Sequence, residues 1–296
     1  MLTKRILYWI VVVGPLVLLV SPLLWYVFMF YENAHGPGWR MQDTVRILIQ
    51  NQKSGGRAVR KAISYGDKIL PLLKEESDSF DIGTLNSRNA FWISDVLGAI
   101  QSPESETILM NLYSRPDLSA KLVGAIGLAQ HGMLPEEIDE NSFLVKTIRD
   151  SSAGEYASLA IIALGRSGNP KAVPFLLGVL RGSSANPHSA MYACQALARL
   201  RSQEAIGVLR EYLQSPESEA LPAAFRALIS LGDKDAVPLA IARVTPDIEG
   251  YNAGFIVDEL KTVTGKNFGY DRQAWLRWWK SVEGKWEVPK KFLNAD

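Results

Sequence analysis

The sequence predicts an all-α protein: a solenoid of stacked antiparallel helix pairs over residues 41–265, behind one N-terminal transmembrane helix. Three observations predict it. A two-helix unit recurs between Glu155 and Val244, its helices carry apolar residues at three- and four-residue spacing, and Ile6 to Phe30 is one continuous uncharged apolar run.

The repeat is plainest at its turns. Ala163-Leu164-Gly165-Arg166-Ser167-Gly168-Asn169-Pro170-Lys171-Ala172-Val173 is followed by Ala196-Leu197-Ala198-Arg199-Leu200-Arg201-Ser202-Gln203-Glu204-Ala205-Ile206. The third copy is Ala227-Leu228-Ile229-Ser230-Leu231-Gly232-Asp233-Lys234-Asp235-Ala236-Val237. Leu164, Leu197 and Leu228 recur at about 31 to 33 residues, the period of stacked helix pairs. In the middle copy Ala190, Ala193, Cys194, Leu197 and Leu200 form one apolar stripe; Ala205, Ile206, Leu209 and Leu213 form the next. Alanines at 160, 163, 193, 196, 224 and 227 let paired helix axes approach. Pro170 suits a first helical turn, and Gly165 and Gly168 suit the end of the helix before it. One pair cannot cover both of its apolar faces, so neighbours must stack.

The A-L-G-x-x-G-x-x-x-A-V-x-x-L wording of Ala163 to Leu176 resembles HEAT repeats, particularly the short variety shared with phycobilisome-lyase-type proteins. The resemblance extends over most of the chain after residue 40. It implies a right-handed α-solenoid serving as a scaffold or adaptor, or in a few relatives as a chromophore lyase. It carries over no catalytic or cofactor-binding residue, and a membrane segment departs from the soluble lyase family.

Taken in order, the first element is the apolar run. About 25 helical residues cross a bilayer with some tilt. Tyr8 and Trp9 near one end and Trp25, Tyr26 and Tyr31 near the other suit the two interfaces, and Pro15 and Pro22 are tolerated within a membrane. A cleaved signal peptide has a shorter apolar core and a small-residue cleavage site; the only candidate here, Glu32-Asn33-Ala34, carries a charge. Lys4 and Arg5 place residues 1–5 in the cytoplasm, residues 6–31 in the membrane and the repeat domain on the extracytoplasmic side. Residues 32–40, with His35-Gly36-Pro37-Gly38, read as a linker.

Met41 to Gln50 and Ala58 to Tyr65 read as short helices separated by a Ser54-Gly55-Gly56 loop. Gly66-Asp67 opens another over Ile69 to Lys74. Asn89 to Ile100 and Glu104 to Tyr113 form a pair, with Ser102 as N-cap and Pro103 in the first turn. Leu122 to Gln130 continues the period, but its partner is poor. Glu136 to Glu140 is acidic, and only Phe143, Leu144, Val145 and Ile148 read as buried, which marks a degenerate repeat or an insertion. About six pairs result.

At the end, Gly250 to Thr264 is amphipathic through Phe255, Ile256, Leu260 and Val263. A compact turn, Thr264 to Asp271, leads into a helix with Asp271 as N-cap and Trp275, Trp278 and Trp279 on one face. The T-G-x-x-F-G-Y-D and W-x-x-W-W wording resembles the terminus of many bacterial HEAT-like proteins and implies a closing cap over residues 266–296, with an irregular charged tail from Val282.

Chemistry is harder to find. Lys and Arg total 32 against 31 for Asp and Glu, so no global field recommends nucleic acid. Cys194 is the only cysteine, which excludes an intrachain disulfide and a cysteine-rich metal site. Its place on an apolar stripe reads as a buried inert thiol, with covalent chromophore attachment as the alternative. His35, His131 and His188 lack metal-ligand spacing, and no metalloprotease, P-loop or nucleophile-elbow pattern occurs. His131 reads as a polar helix end, and Asp233-Lys234-Asp235 and Asp247-Ile248-Glu249 as ordinary turns. The expectation is therefore a non-enzymatic, membrane-anchored scaffold or adaptor for protein–protein interaction, or an accessory subunit of a membrane complex, without cofactor or metal. The alternative is a lyase-like chromophore carrier. Lys171, Arg181, Glu204, Arg210 and Glu211, on second helices, are candidate partner contacts. From Lys261 to Phe292, Lys261, Lys266, Arg272, Arg277, Lys280, Lys285, Lys290 and Lys291 interleave with tryptophan, either as a solvated face over a cap or as a surface for anionic lipid or single-stranded nucleic acid.

Overall fold

A computed structural model describes residues 39–49, 55–79, 87–182, 187–215, 220–245 and 251–293, and among these no strand occurs. The helices are α1 (Trp39–Ile49), α2 (Gly55–Tyr65), α3 (Leu70–Ser79), α4 (Ser87–Ala99), α5 (Pro103–Ser114), α6 (Leu118–Gln130), α7 (Phe143–Arg149) and α8 (Glu155–Arg166). They continue as α9 (Val173–Arg181), α10 (Pro187–Arg199), α11 (Ala205–Gln214), α12 (Leu221–Ser230), α13 (Ala236–Ala242), α14 (Tyr251–Thr264), α15 (Arg272–Val282) and the short α16 (Lys290–Leu293).

The even-numbered helices α2 to α14 lie side by side in one row, each against the next. Odd-numbered helices form the second row, with α1 against α3, α3 against α5, and α9, α11, α13 and α15 in succession. This is an α-solenoid, and it holds seven even–odd pairs among the described residues, one more than the sequence count. Ala160, Ala163, Ala193, Ala196, Ala224 and Ala227, on α8, α10 and α12, are all buried. Across the rows, α5 packs chiefly on α6, α7 on α8, α9 on α10 and α11 on α12, so these four odd-numbered helices find their main contact in the pair that follows them.

Several local expectations change. Gly55 and Gly56 open α2 instead of forming a loop, and Trp39 and Arg40 open α1 instead of closing a linker. Gly165 lies in the last turn of α8, at the helix end as expected, and has a packing role besides: a Cβ there would stand 2.5 Å from the Ala196 Cβ, so glycine permits the close approach of α8 and α10. The acidic stretch before α7 is a cap. The Glu136 carboxylate accepts from the backbone N–H of Phe143 at 2.8 Å and of Leu144 at 3.2 Å, while Ile138 is buried beneath the loop. Leu144 and Val145 are buried as expected; Phe143 and Ile148 are half-buried. The tail is not wholly irregular, because α16 packs back on α12 and buries Phe292. No described helix is long and apolar enough to cross a membrane. Ile6 to Phe30, the linker up to Gly38 and Asp247-Ile248-Glu249 lie outside the described residues.

The repeat turn has a fixed backbone signature. The residue four after the repeat leucine takes positive φ in four successive copies: Gly132 at 72°, Gly168 at 65°, Arg201 at 51° and Gly232 at 85°. In three of them the next N–H closes the helix end on the leucine carbonyl, Met133 on Leu128 at 2.8 Å, Ser202 on Leu197 at 3.2 Å and Asp233 on Leu228 at 2.9 Å. Arg201 alone carries a Cβ in this left-handed conformation, which costs an L-residue roughly 1 to 2 kcal/mol. Arg201→Gly is therefore expected to stabilise the chain by about 1 kcal/mol, a rise of a few degrees in the melting temperature of the full chain in detergent. A lower melting temperature would show that contacts of the Arg201 side chain outweigh the backbone strain.

Candidate functional site

The even-numbered row carries a groove of about 300 Å³ that crosses α4, α8, α10 and α12. Its floor is made of small residues, Gly165, Ala196, Ala223 and Ala227, which follow from the close helix spacing. Its walls are Phe91, Ile162, Arg166, Tyr192, Arg199 and Arg226.

Arg166 and Arg226 are held by ion pairs within the protein. Arg166 on α8 reaches past α6 to α4, donating to Asp95 Oδ1 at 2.5 Å and to Gln130 Oε1 at 3.0 Å, with its guanidinium 5.3 Å from the Phe91 ring centre. One side chain thereby ties three successive even-numbered helices. Arg226 on α12 donates through Nε to Glu259 Oε2 on α14 at 2.7 Å and lies 5.8 Å from the ring of Phe292. Burial pushes the Tyr192 hydroxyl pKa up, and the Glu155 carboxylate adds to the effect, so near neutral pH this hydroxyl is a neutral hydrogen-bonding group at the groove wall. The groove thus offers flat aromatic and guanidinium surfaces that are already positioned, the kind of surface proteins use as anchor sites.

The five residues singled out from the sequence lie elsewhere. Lys171 is exposed in the turn before α9, with Nζ 3.6 Å from Glu137 Oε2. Arg181 ends α9, Glu204 precedes α11 and Glu211 lies on it, all exposed. None of the five lines the groove, since they belong to the odd-numbered row. Arg210 is a structural residue. Its guanidinium donates to both carboxylate oxygens of the buried Asp233, at 2.7 and 2.5 Å, and to Asp235 at 2.9 Å. It pins α11 to the turn between α12 and α13, so Asp233 does more than shape an ordinary turn.

Trp275 and Trp279 are buried in α15 and Trp278 is half-buried. Trp275 Nε1 donates to the Gly269 carbonyl at 2.9 Å, and its ring stands edge-on to Phe268 at 5.0 Å. Asp271 caps the helix by accepting from Ala274 N at 2.9 Å. His131 is more than a helix end: its ring is buried and Nε2 lies 3.1 Å from the Gly98 carbonyl of the preceding repeat. His188 is exposed. Cys194 is buried, and burial pushes its thiol up to about 12, leaving almost no thiolate near neutral pH. Among the described residues no group of three His, Cys, Asp or Glu is placed to hold a metal. A second, wider recess of about 860 Å³ lies between α7, α8, α9 and α10, walled by Ile148, Ile161, Phe175 and Val179.

With this geometry in place, the family of HEAT repeats matches residues 179–249. Residues 179–249 carry HEAT repeats. No curated protein matches it. The HEAT stretch includes α10 and α12, which supply Tyr192, Arg199 and Arg226 to the groove. The groove is thus in large part a product of HEAT-type stacking. One signal would have located it: Arg166 and Arg199 both stand two residues after the repeat leucine, a recurring cation on the first helix of the unit.

Proposed function

We propose that the chain is a non-enzymatic, membrane-anchored HEAT-repeat scaffold that docks a protein partner in the groove of the even-numbered row. The observation that carries this reading is the groove itself, which crosses four stacked helices and presents Phe91, Tyr192 and internally paired arginines as a ready surface. Solenoids bind partners on such extended surfaces. The apolar run Ile6 to Phe30 supplies the anchor, and Lys4 and Arg5 put the repeats on the extracytoplasmic side, so the partner belongs to the membrane vicinity or to a larger membrane complex. A chromophore-lyase role of the phycobilisome type has less behind it, because the single thiol is buried and protonated. Tetrapyrrole retained through purification would favour that role.

The test is site-specific photocrosslinking of the full chain in its host membrane. A crosslinker replacing Tyr192 or Gln195 is expected to give a discrete protein adduct, and one replacing Glu204 or Glu211 is expected to give none. Adducts from Glu204 and Glu211 alone would move docking to the odd-numbered row. Release of the chain by carbonate washing would remove the anchor from the reading while leaving the groove.

A further inference from the structure

We infer that the outer face of α15 is a second contact surface, one that lies on an anionic lipid bilayer. The chain as a whole carries +1, yet residues 261–291 hold eight basic residues against three acidic ones, so this stretch is +5 and the remainder −4. Several cations of the repeats are held in ion pairs: Arg149 with Glu140, Arg166 with Asp95, Lys171 with Glu137, Arg210 with Asp233 and Arg226 with Glu259. Arg272, Arg277 and Lys280 are exposed and make no ion pair among the described residues.

Their positions make one surface. Arg272, Leu276 and Lys280 are four residues apart, one above the next along the helix, and Arg277 flanks them. Leu276 is 36% exposed among these cations, and Tyr270, just before the helix, is 42% exposed. Cations around a modest apolar centre, on a helix lying flat, suit the boundary between headgroups and acyl chains. Single-stranded nucleic acid fits less well. It is read by stacking on aromatic rings, and here the rings of Trp275 and Trp279 are spent on the interior. The inference leans on the anchored reading only for proximity, which holds this weakly attractive face near its target.

The experiment uses the full chain in nanodiscs of phosphatidylcholine, with or without phosphatidylglycerol. A polarity-sensitive dye is attached through Leu276→Cys, the native Cys194 being buried. Emission is expected to shift to the blue only with phosphatidylglycerol and to return in high salt. The shift should also disappear when Arg272, Arg277 and Lys280 are changed together to Glu or, more gently, to Gln. Equal emission in both lipids, or a blue shift that survives both sets of changes, overturns the inference. So does retention of a single-stranded oligonucleotide by these cations without any lipid response. If the chain fails to enter nanodiscs, the same dye reads binding to added vesicles, so a failed anchor and a failed face give different results.

Discussion

Replacing Trp275 by Ala is expected to destabilise the C-terminal end of the solenoid by about 3 to 5 kcal/mol, the usual range for a large buried aromatic. The side chain is fully buried, its indole N–H has a specific acceptor in Gly269, and its ring meets both Phe268 and Trp278 edge-on. Truncation removes apolar burial and the edge-on ring contacts, and it leaves a carbonyl without its donor. The helix that carries Trp275 packs on α13, so the damage should spread inward as the last layer loosens. Trp278→Ala is expected to cost clearly less. That ring is only half-buried, and neighbouring positions on a helix point about 100° apart. Denaturation of the full chain in detergent, followed by amide exchange, measures both effects: lost protection in α13 and α14 for Trp275→Ala, near-parent protection for Trp278→Ala. Equal losses would mean that the ring cluster acts as a unit and that individual burial is secondary.

Gly124→Ala is expected to cost about 2 to 3 kcal/mol, and here the sign is the test. By helix propensity alone, alanine in place of glycine gains about 1 kcal/mol. At Gly124 the added Cβ would stand 2.5 Å from the backbone nitrogen of Tyr113 and 2.7 Å from the carbonyl oxygen of Leu109. Neither is the end of a flexible side chain, so α5 and α6 must separate, and overpacking of this kind outweighs the propensity term. Gly207 in α11 provides the control. A Cβ there meets nothing within 4 Å, and Gly207→Ala should stabilise by roughly 0.5 to 1 kcal/mol. Melting curves of the two variants are expected to move in opposite directions from the parent. Movement in the same direction would mean that the α5–α6 contact relaxes more cheaply than the geometry indicates.

The periodic part of the fold is legible in the residues alone. Leu164, Leu197 and Leu228 are fully buried at equivalent places, and the six alanines of the stripe are buried with them. Residues at these positions announce themselves because one physical demand, a narrow apolar stripe, recurs at one spacing. The groove does not announce itself, because it depends on which helices become neighbours across the stack. Arg166 and Asp95 are 71 residues apart in sequence, and nothing local in either helix names the other. Arg210 escapes recognition for a related reason. A polar position on a second helix looks the same whether it faces water or a buried carboxylate, and only the folded turn around Asp233 decides between them. The charged tail misleads in the opposite way: Phe292 and Leu293 follow two lysines, yet Phe292 is buried, its ring beside Arg226, and Leu293 lies near Gly232, which places α16 beside α12.

The preference of α5, α7, α9 and α11 for the helix that follows them has a consequence for how such a chain lengthens or shortens over time. Along the sequence, a unit runs from an even-numbered helix to the odd-numbered one after it. Measured by contact, the solid block runs from an odd-numbered helix to the next even-numbered one, half a unit out of phase. A gene segment copied or lost between sequence units therefore carries away one helix of each flanking block and leaves the other to find a new mate. Segments that begin with an odd-numbered helix would travel with their partner already in place. The loops between sequence units, such as the one joining α11 to α12, are thus poorer places to cut this protein than the turns inside them.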